Sequence, residues 1–408
     1  MAAASVLEER ARELPRSDSV AARLEREVHC VLGLPFDAVD LARADAIVRD
    51  AIASRRRCLL STPNLNFAIG CRGDRAFRDS VLASDLCIAD GMPVVWIARL
   101  LGVPLRERVA GSDLFERLRR GASSRLSVYF FGGMPGVAEE ACRRLNAHGG
   151  GLSCAGWESP GFGSVAQLSR DDSVARINAS GADFLVVSLG ARKGQEWIEH
   201  NRERISVPLI SHLGAVLNFA AGSVKRAPAS LQGAGLEWLW RVKEERFLWR
   251  RYLSDGVALL RLLLTHVLPF AWMLRRHRPA YRELADARLD SRSGIDGVSI
   301  RLRGPWTQAN LAPLRKALAR ALSAWCHVDV YLDRAAFVDT ACLGLLMLAY
   351  GTQKRRRLRL VCRVGNPRLR RLFELAGAEY LLEDAPRSSS AEMAFAADEF
   401  DLADVAER

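Results

Sequence analysis

The stretch Asp85-Leu86-Cys87-Ile88-Ala89-Asp90-Gly91-Met92-Pro93-Val94-Val95-Trp96-Ile97-Ala98-Arg99-Leu100-Leu101-Gly102 decides how the chain is read. A short apolar run of the kind that ends as a buried strand is followed at once by a carboxylate, Asp90, and a glycine. An acid in that position stands at the mouth of a strand, and in open α/β sheets ligands bind beyond the carboxyl ends of the strands. Taken alone, Asp90-Gly91 reads as a turn rather than a site.

The neighbouring segments repeat the pattern. Asp40 to Ser54 has helical periodicity, Cys58-Leu59-Leu60-Ser61 reads as a strand running into Thr62-Pro63-Asn64, and Asn66 to Asp79 reads as the next helix. Further on, a strand at Leu126–Phe131 meets the glycine-rich turn Gly132-Gly133-Met134-Pro135-Gly136 and a helix over Val137–Ala147. That order offers backbone N–H groups to a phosphate, or simply makes a tight connection. Phe184 to Gly190 is a near-continuous apolar strand, with Gln195-Glu196-Trp197 at the start of a helix, and Pro208 to Gly214 is another strand. Strands alternating with helices predict an α/β fold with a Rossmann-like parallel sheet.

With 408 residues, two or three domains are expected. Lys and Arg number 59 against 47 Asp and Glu, a formal charge of +12 that favours an anionic partner. The nine cysteines form no C-x-x-C pair or zinc spacing and read as reduced core residues. Residues 1–32 read as a flexible tail without the apolar core of a signal peptide, and residues 33–235 as the main domain.

The character changes at Leu236. Tryptophans and arginines interleave at helical spacing, including Arg241, Arg246, Arg250 and Arg251, and Val257 to Leu274 is apolar but interrupted by Arg261, His266 and Pro269. Residues 236–282 are therefore expected to lie on a membrane surface, arginines toward lipid phosphates, or to close the main domain as an amphipathic helix, two readings that are compatible. A nucleic-acid groove would have no use for the adjoining apolar run. Residues 283–297 read as a linker, 298–384 as a small βα domain, and the Ser-rich, acidic residues 385–408 as a disordered tail.

Thr62 and Asn64, then Asp90, then Arg106 and Arg108 before Gly111, place a hydroxyl, an amide, a carboxylate and guanidinium groups at successive strand ends. This is equipment for activating a hydroxyl nucleophile, with Asp90 as base, beside a phosphate leaving group stabilised by Arg108. No D-x-D triplet occurs, so a metal clamp on a diphosphate is not indicated.

Taken in order, Thr62-x-Asn64, Ala89-Asp90-Gly91, Arg106-x-Arg108 with Gly111, Gly132-Gly133, Gln195-Glu196, Gly222 with Arg226-Ala227-Pro228, and Leu236-Glu237-Trp238-Leu239 with Arg241 resemble the WecG/TagA/CpsF glycosyltransferases. The resemblance implies an inverting, metal-independent transfer from a UDP-sugar to a polyprenyl-diphosphate-linked saccharide on the inner membrane face, with no cofactor. It implies Asp90 as base, Thr62 and Asn64 beside it, and Arg108 and Gln195 on the nucleotide-sugar. Gly91, Gly111, Gly132, Gly133, Gly136, Glu196 and Asn218 would line the substrate site, and Arg241, Arg246, Arg250 and Arg251 would meet membrane and acceptor. Two departures fall in the donor half. The family's G-x-G-G appears as His212-Leu213-Gly214-Ala215, with Asn218 where an aspartate is usual, and the Gln195-Glu196 element lacks its proline. They motivate an alternative, a degenerate membrane-bound scaffold. Val298 to Leu382 resembles a STAS domain, with Asp339-Thr340-Ala341-Cys342-Leu343-Gly344 similar to the loop such domains phosphorylate. Ala341 stands at the phosphoserine position, so the module is expected to bind a partner or pack on the enzyme.

Overall fold

The computed structural model describes residues 20–121, 125–224, 227–228, 239–240, 249–295 and 297–382. A short helix, α1 (Val20–Leu24), leads into a hairpin of β1 (Val28–Val31) and β2 (Leu34–Asp37). Leu32 and Gly33 turn it, with φ of 51° and 78°, the doubly left-handed turn that matches the twist of antiparallel strands. Every residue of both strands is buried. The expected tail over 1–32 is thus corrected from Val20 onward. A hairpin covered on both faces shows no apolar–polar alternation by which to find it.

The alternating segments then build a six-stranded parallel sheet. Its elements are α2 (Leu41–Ala53), β3 (Cys58–Ser61), α3 (Leu65–Gly73), α4 (Arg75–Leu82), β4 (Leu86–Cys87), α5 (Met92–Leu100), α6 (Gly111–Arg120), β5 (Leu126–Gly132), α7 (Val137–His148), β6 (Leu152–Glu158), α8 (Asp171–Ala179), β7 (Phe184–Ser188), α9 (Ala191–Asn201), β8 (Leu209–His212) and α10 (Gly214–Ala221). The strand order is β4-β3-β8-β7-β5-β6. Alternate residues leave opposite faces, as strand geometry requires: Val128, Phe130 and Val186 join one core, and Tyr129, Phe131, Leu185 and Val187 another. The single helix expected over Asn66–Asp79 is two, because Asp74 caps α4 by accepting from the Phe77 N–H at 3.1 Å. One cysteine expectation is also corrected. Cys142 on α7 and Cys154 on β6 form a disulfide, their Cα atoms 5.1 Å apart where helix packs on strand. Only the tertiary contact brings them within bridging range.

Next, α11 (Trp249–Leu262), a π-helical turn over Leu263–Val267 and α12 (Leu268–Arg276) run on as one long helix. Pro269 cannot donate to the helical ladder, and the wider turn just before it absorbs the mismatch. The C-terminal module comprises β9 (Arg288–Ser293), β10 (Gly297–Trp306), α13 (Ala312–Ser323), β11 (His327–Val338), α14 (Thr340–Arg355), β12 (Leu360–Arg363) and α15 (Pro367–Ala376). Its sheet order is β12-β11-β10-β9. The linker expected over 283–297 therefore contains the edge strand β9, antiparallel to β10. Its polar, exposed residues have one strand neighbour and carry no strand signal of their own.

The module packs on the larger domain through α14, in which every residue from Thr340 to Gln353 is buried. Two glycines allow this approach: a Cβ at Gly344 would overlap the Val28 carbonyl, and one at Gly351 the Leu82 carbonyl. Thr340 is buried, its hydroxyl 3.1 Å from His29 Nδ1 of the hairpin, so it is covered rather than offered to a kinase. We expect Gly344→Val to destabilise the protein by at least about 1–3 kcal/mol, the range for overpacking a core. Gly256→Val, where nothing lies within 4 Å, is the control in thermal unfolding.

Candidate active site

The crevice lies beyond the carboxyl ends of β4, β3 and β8. Parallel pairing aligns Ser61 with Cys87, so the residues that follow each strand emerge side by side. Three backbone bonds then knit the loops together: Ile88 N–H to Ser61 O at 3.0 Å, Asp90 N–H to Pro63 O at 3.1 Å, and Val109 N–H to Ala89 O at 3.0 Å. The last one draws Arg108 alongside the Asp90 segment; the strand end expected at Arg106 and Arg108 is corrected, since both lie in the loop between α5 and α6 with no strand before them. Gly111 opens α6 against Thr62; a Cβ there would sit 3.1 Å from the Thr62 methyl and overlap Leu213. Gly91 has φ of 141°, which bars other residues, and a Cβ on it would lie 3.6 Å from that of Asn64. Thr62, Asn64, Asp90, Gly91, Arg108 and Gly111 are in this way brought to one corner.

Their local roles differ. Asn64 caps α3, its side-chain oxygen accepting from the Phe67 N–H at 3.1 Å. Arg108 is fixed by Asp113, five residues on in the first turn of α6, at 2.9 Å. Sequence reasoning gave Asp113 no role; its signal was an acid in the first turn of a helix that follows the arginine. Thr62 is buried and Asp90 partly exposed.

The donor-side residues are more scattered. Gln195 and Glu196 lie in the second turn of α9, not at its start. Gln195 is buried and donates its amide to Ser61 Oγ at 2.9 Å, bracing β3 from below, while Glu196 is exposed. The glycine turn follows β5, three strand spacings from β3, or about 14 Å at ~4.8 Å each. Gly132, Gly133 and Gly136 have φ of 110°, 83° and 80°, and the Gly133 N–H is already bonded to Ser188 O at 2.9 Å. Glu139 and Glu140 occupy the first turn of α7, so that helix end already has its negative charge. The first turns of α9 and α10 carry no acid. Asn218 lies on α10, half-buried, its carbonyl accepting from the Ser223 N–H at 3.1 Å. At the tip of β8, His212 is buried and burial lowers its pKa to about 4, leaving it neutral. Among the described residues no three His, Cys, Asp or Glu side chains gather as metal ligands would.

Leu253–Arg276 is one helix long and apolar enough to cross a membrane. One face, with Val267, Phe270, Ala271 and Leu274, is buried against the protein, and Arg275 donates to Leu100 O at 2.7 Å. The other face exposes Leu253, Val257, Leu260, Leu264, Leu268 and Trp272, each between 45% and 65% accessible, at spacings of three and four that form a single stripe. Arg250 is exposed, its guanidinium 5.4 Å from the Trp249 ring. Arg241 and Arg246, the side chain of Arg251, and the expected tail over 385–408 lie outside the described residues.

The parallel sheet with its strand-end site is that of a glycosyltransferase by family: the chain belongs to the WecG/TagA/CpsF glycosyl transferase family, whose model matches residues 29–271. A STAS domain of the MlaB kind matches residues 291–383. Among its relatives, an N-acetylglucosaminyldiphosphoundecaprenol N-acetyl-beta-D-mannosaminyltransferase of Bacillus spizizenii is 33% identical over 178 residues, 43% of this chain and 67% of the relative. A protein of the same name from Bacillus subtilis is 26% identical over 211 residues, 52% of this chain and 80% of the relative.

Proposed function

We propose that this glycosyltransferase moves a sugar of the N-acetylmannosamine, mannosaminuronate or glucuronate type from a UDP-sugar to a polyprenyl-diphosphate-linked saccharide, with inversion and without a metal, in exopolysaccharide or other surface-polysaccharide assembly. The observation that carries the reading is the meeting of Asp90, Thr62 and Arg108 at one strand-end corner, held by the Val109–Ala89 and Asp90–Pro63 bonds. Asp90 takes the proton from the acceptor hydroxyl as its oxygen attacks the anomeric carbon, the C–O bond to the diphosphate breaks, and Arg108, oriented by Asp113, stabilises the departing charge. The names of the relatives support N-acetylmannosamine and an N-acetylglucosamine-bearing lipid. The test is transfer from each UDP-sugar to lipid-linked N-acetylglucosamine by the full chain with vesicles present. Absence of transfer from all three, with no UDP binding at millimolar concentration, would leave the scaffold reading instead.

The apolar stripe supports a peripheral seat on the inner face of the cytoplasmic membrane. A helix docked on protein along one side and apolar along the other fits the interface plane, where its outer face enters the acyl boundary. Replacing both Leu260 and Leu264 by Asp is expected to reduce co-sedimentation with anionic vesicles at least tenfold without lowering the thermal midpoint, since both side chains are 59% exposed. Unchanged co-sedimentation would place the contact elsewhere.

A further inference from the structure

We infer that His212 reads an uncharged polar group of the donor sugar, a hydroxyl or an acetamide, and is a specificity residue of this site; the inference rests on the donor reading proposed above. His212 ends β8, in register with Val187 of β7 and one strand from β3, whose end carries Thr62. Its ring lies under the first turn of α9, where a Cβ on Gly194 would overlap it, so glycine at 194 makes the room. A Cβ on Gly214 would be 3.5 Å from Nε2, which puts that nitrogen between the first turns of α9 and α10.

The side chain is 7% exposed, and its Nε2 has no hydrogen-bond partner among the described residues. Leaving such a group unmade costs about 1–3 kcal/mol. The nearest aromatic, Phe67 with its centroid 6.3 Å away, offers it no hydrogen-bonding atom. A cost carried at the ligand-binding edge of a parallel sheet is repaid when a ligand supplies the missing partner. The kind of partner follows from charge. An imidazole kept neutral by burial suits a hydroxyl or amide, whereas the diphosphate suits Arg108, a permanent cation at the same edge. The substitution of histidine for the family's glycine in His212-Leu213-Gly214-Ala215 thereby becomes a change in what the donor pocket recognises.

The experiment compares His212→Leu, similar in volume but without nitrogen, with His212→Gln, whose amide nitrogen falls near the Nε2 position. UDP and UDP-N-acetylmannosamine binding are measured by calorimetry on the full chain, and donor KM where transfer is observed. We expect the Leu variant to bind the UDP-sugar about tenfold more weakly, the loss of one hydrogen bond, to bind UDP within twofold of the parent, and to unfold at no lower temperature because an orphaned polar atom has gone. The Gln variant should recover most of the UDP-sugar affinity. Unchanged UDP-sugar binding in the Leu variant, or an equal loss for UDP and UDP-sugar, overturns the inference. Should the Leu variant fail to fold, His212→Met is read by the same criteria. A parent that binds neither ligand sinks the donor reading itself, whereas a parent that binds both, with an indifferent Leu variant, sinks only the role of His212.

Discussion

Asp90→Asn is expected to lower turnover by about 10²–10⁴-fold, the usual worth of a positioned general base, while donor KM stays within about threefold and the thermal midpoint is unchanged. The asymmetry follows from what the substitution removes. Asparagine has nearly the same shape and keeps an acceptor oxygen, and two features that hold the local fold, the Asp90 backbone N–H on Pro63 O and Gly91 at φ 141°, do not need the carboxylate. What is lost is the ability to take a proton as the acceptor oxygen attacks, an interaction made only in the transition state, so it appears in turnover and not in donor binding. Arg108 and Asp113 remain paired and the leaving-group side is untouched. The measurement is steady-state transfer to a lipid-linked acceptor, with circular dichroism to establish that the variant is folded. Full activity in the Asn variant would remove Asp90 from the chemistry and leave Thr62 and its neighbours to be tested as the source of acceptor activation.

What could be read in the chain was whatever depends on local order. Phe184 to Val187, Leu209-Ile210 and Val128 to Phe131 are apolar without break because parallel strands are covered on both faces. Once the sheet was expected to be parallel, Thr62 and Asp90, which follow β3 and β4, had to emerge along one edge, whereas Arg108 follows a helix and reaches that edge only through the Val109–Ala89 bond. Properties that depend on a distant neighbour were not legible. Val28-His29-Cys30-Val31 is a strand because the module's α14 covers it, and β9 is a strand because β10 lends it a partner. Gln195 pointed to the nucleotide-sugar by resemblance, whereas its amide braces Ser61. The apolar run from Val257 was visible, but which of its leucines face outward depends on the docking of Phe270 and Leu274. His212 was visible as a departure, and its orphaned nitrogen only in three dimensions.

The same reasoning makes Asp85 the residue whose loss should most damage the fold. Its carboxylate is 15% exposed and joins three parts of the molecule: Arg23 of α1, Arg355 of α14 at 2.9 Å, and the Leu59 N–H of β3 at 3.0 Å. The two guanidinium side chains are 8% and 18% exposed, so neither is well solvated. Asp85→Ala leaves both without their counter-charge, and breaking a buried ion pair from one side costs about 3–5 kcal/mol. That is a large share of a typical folding free energy. It falls on the joint between the STAS domain and the transferase, five residues ahead of Asp90 on the same segment, so activity should fall with stability. The pH dependence has a definite sign. Burial pushes the Asp85 carboxyl up, but Arg355 and Arg23 outweigh it and hold it well below the usual carboxylate range. A pKa depressed in the folded state contributes stability that is fully present above the unfolded value, about 3.9, and is lost as pH falls through the folded one. Denaturant melts of the parent and Asp85→Asn should therefore differ most at neutral pH and converge progressively below about pH 4. A gap that is constant across that range, or smaller than about 1 kcal/mol at pH 7, would mean that the apolar contacts of α14 hold the two domains together without the ionic joint.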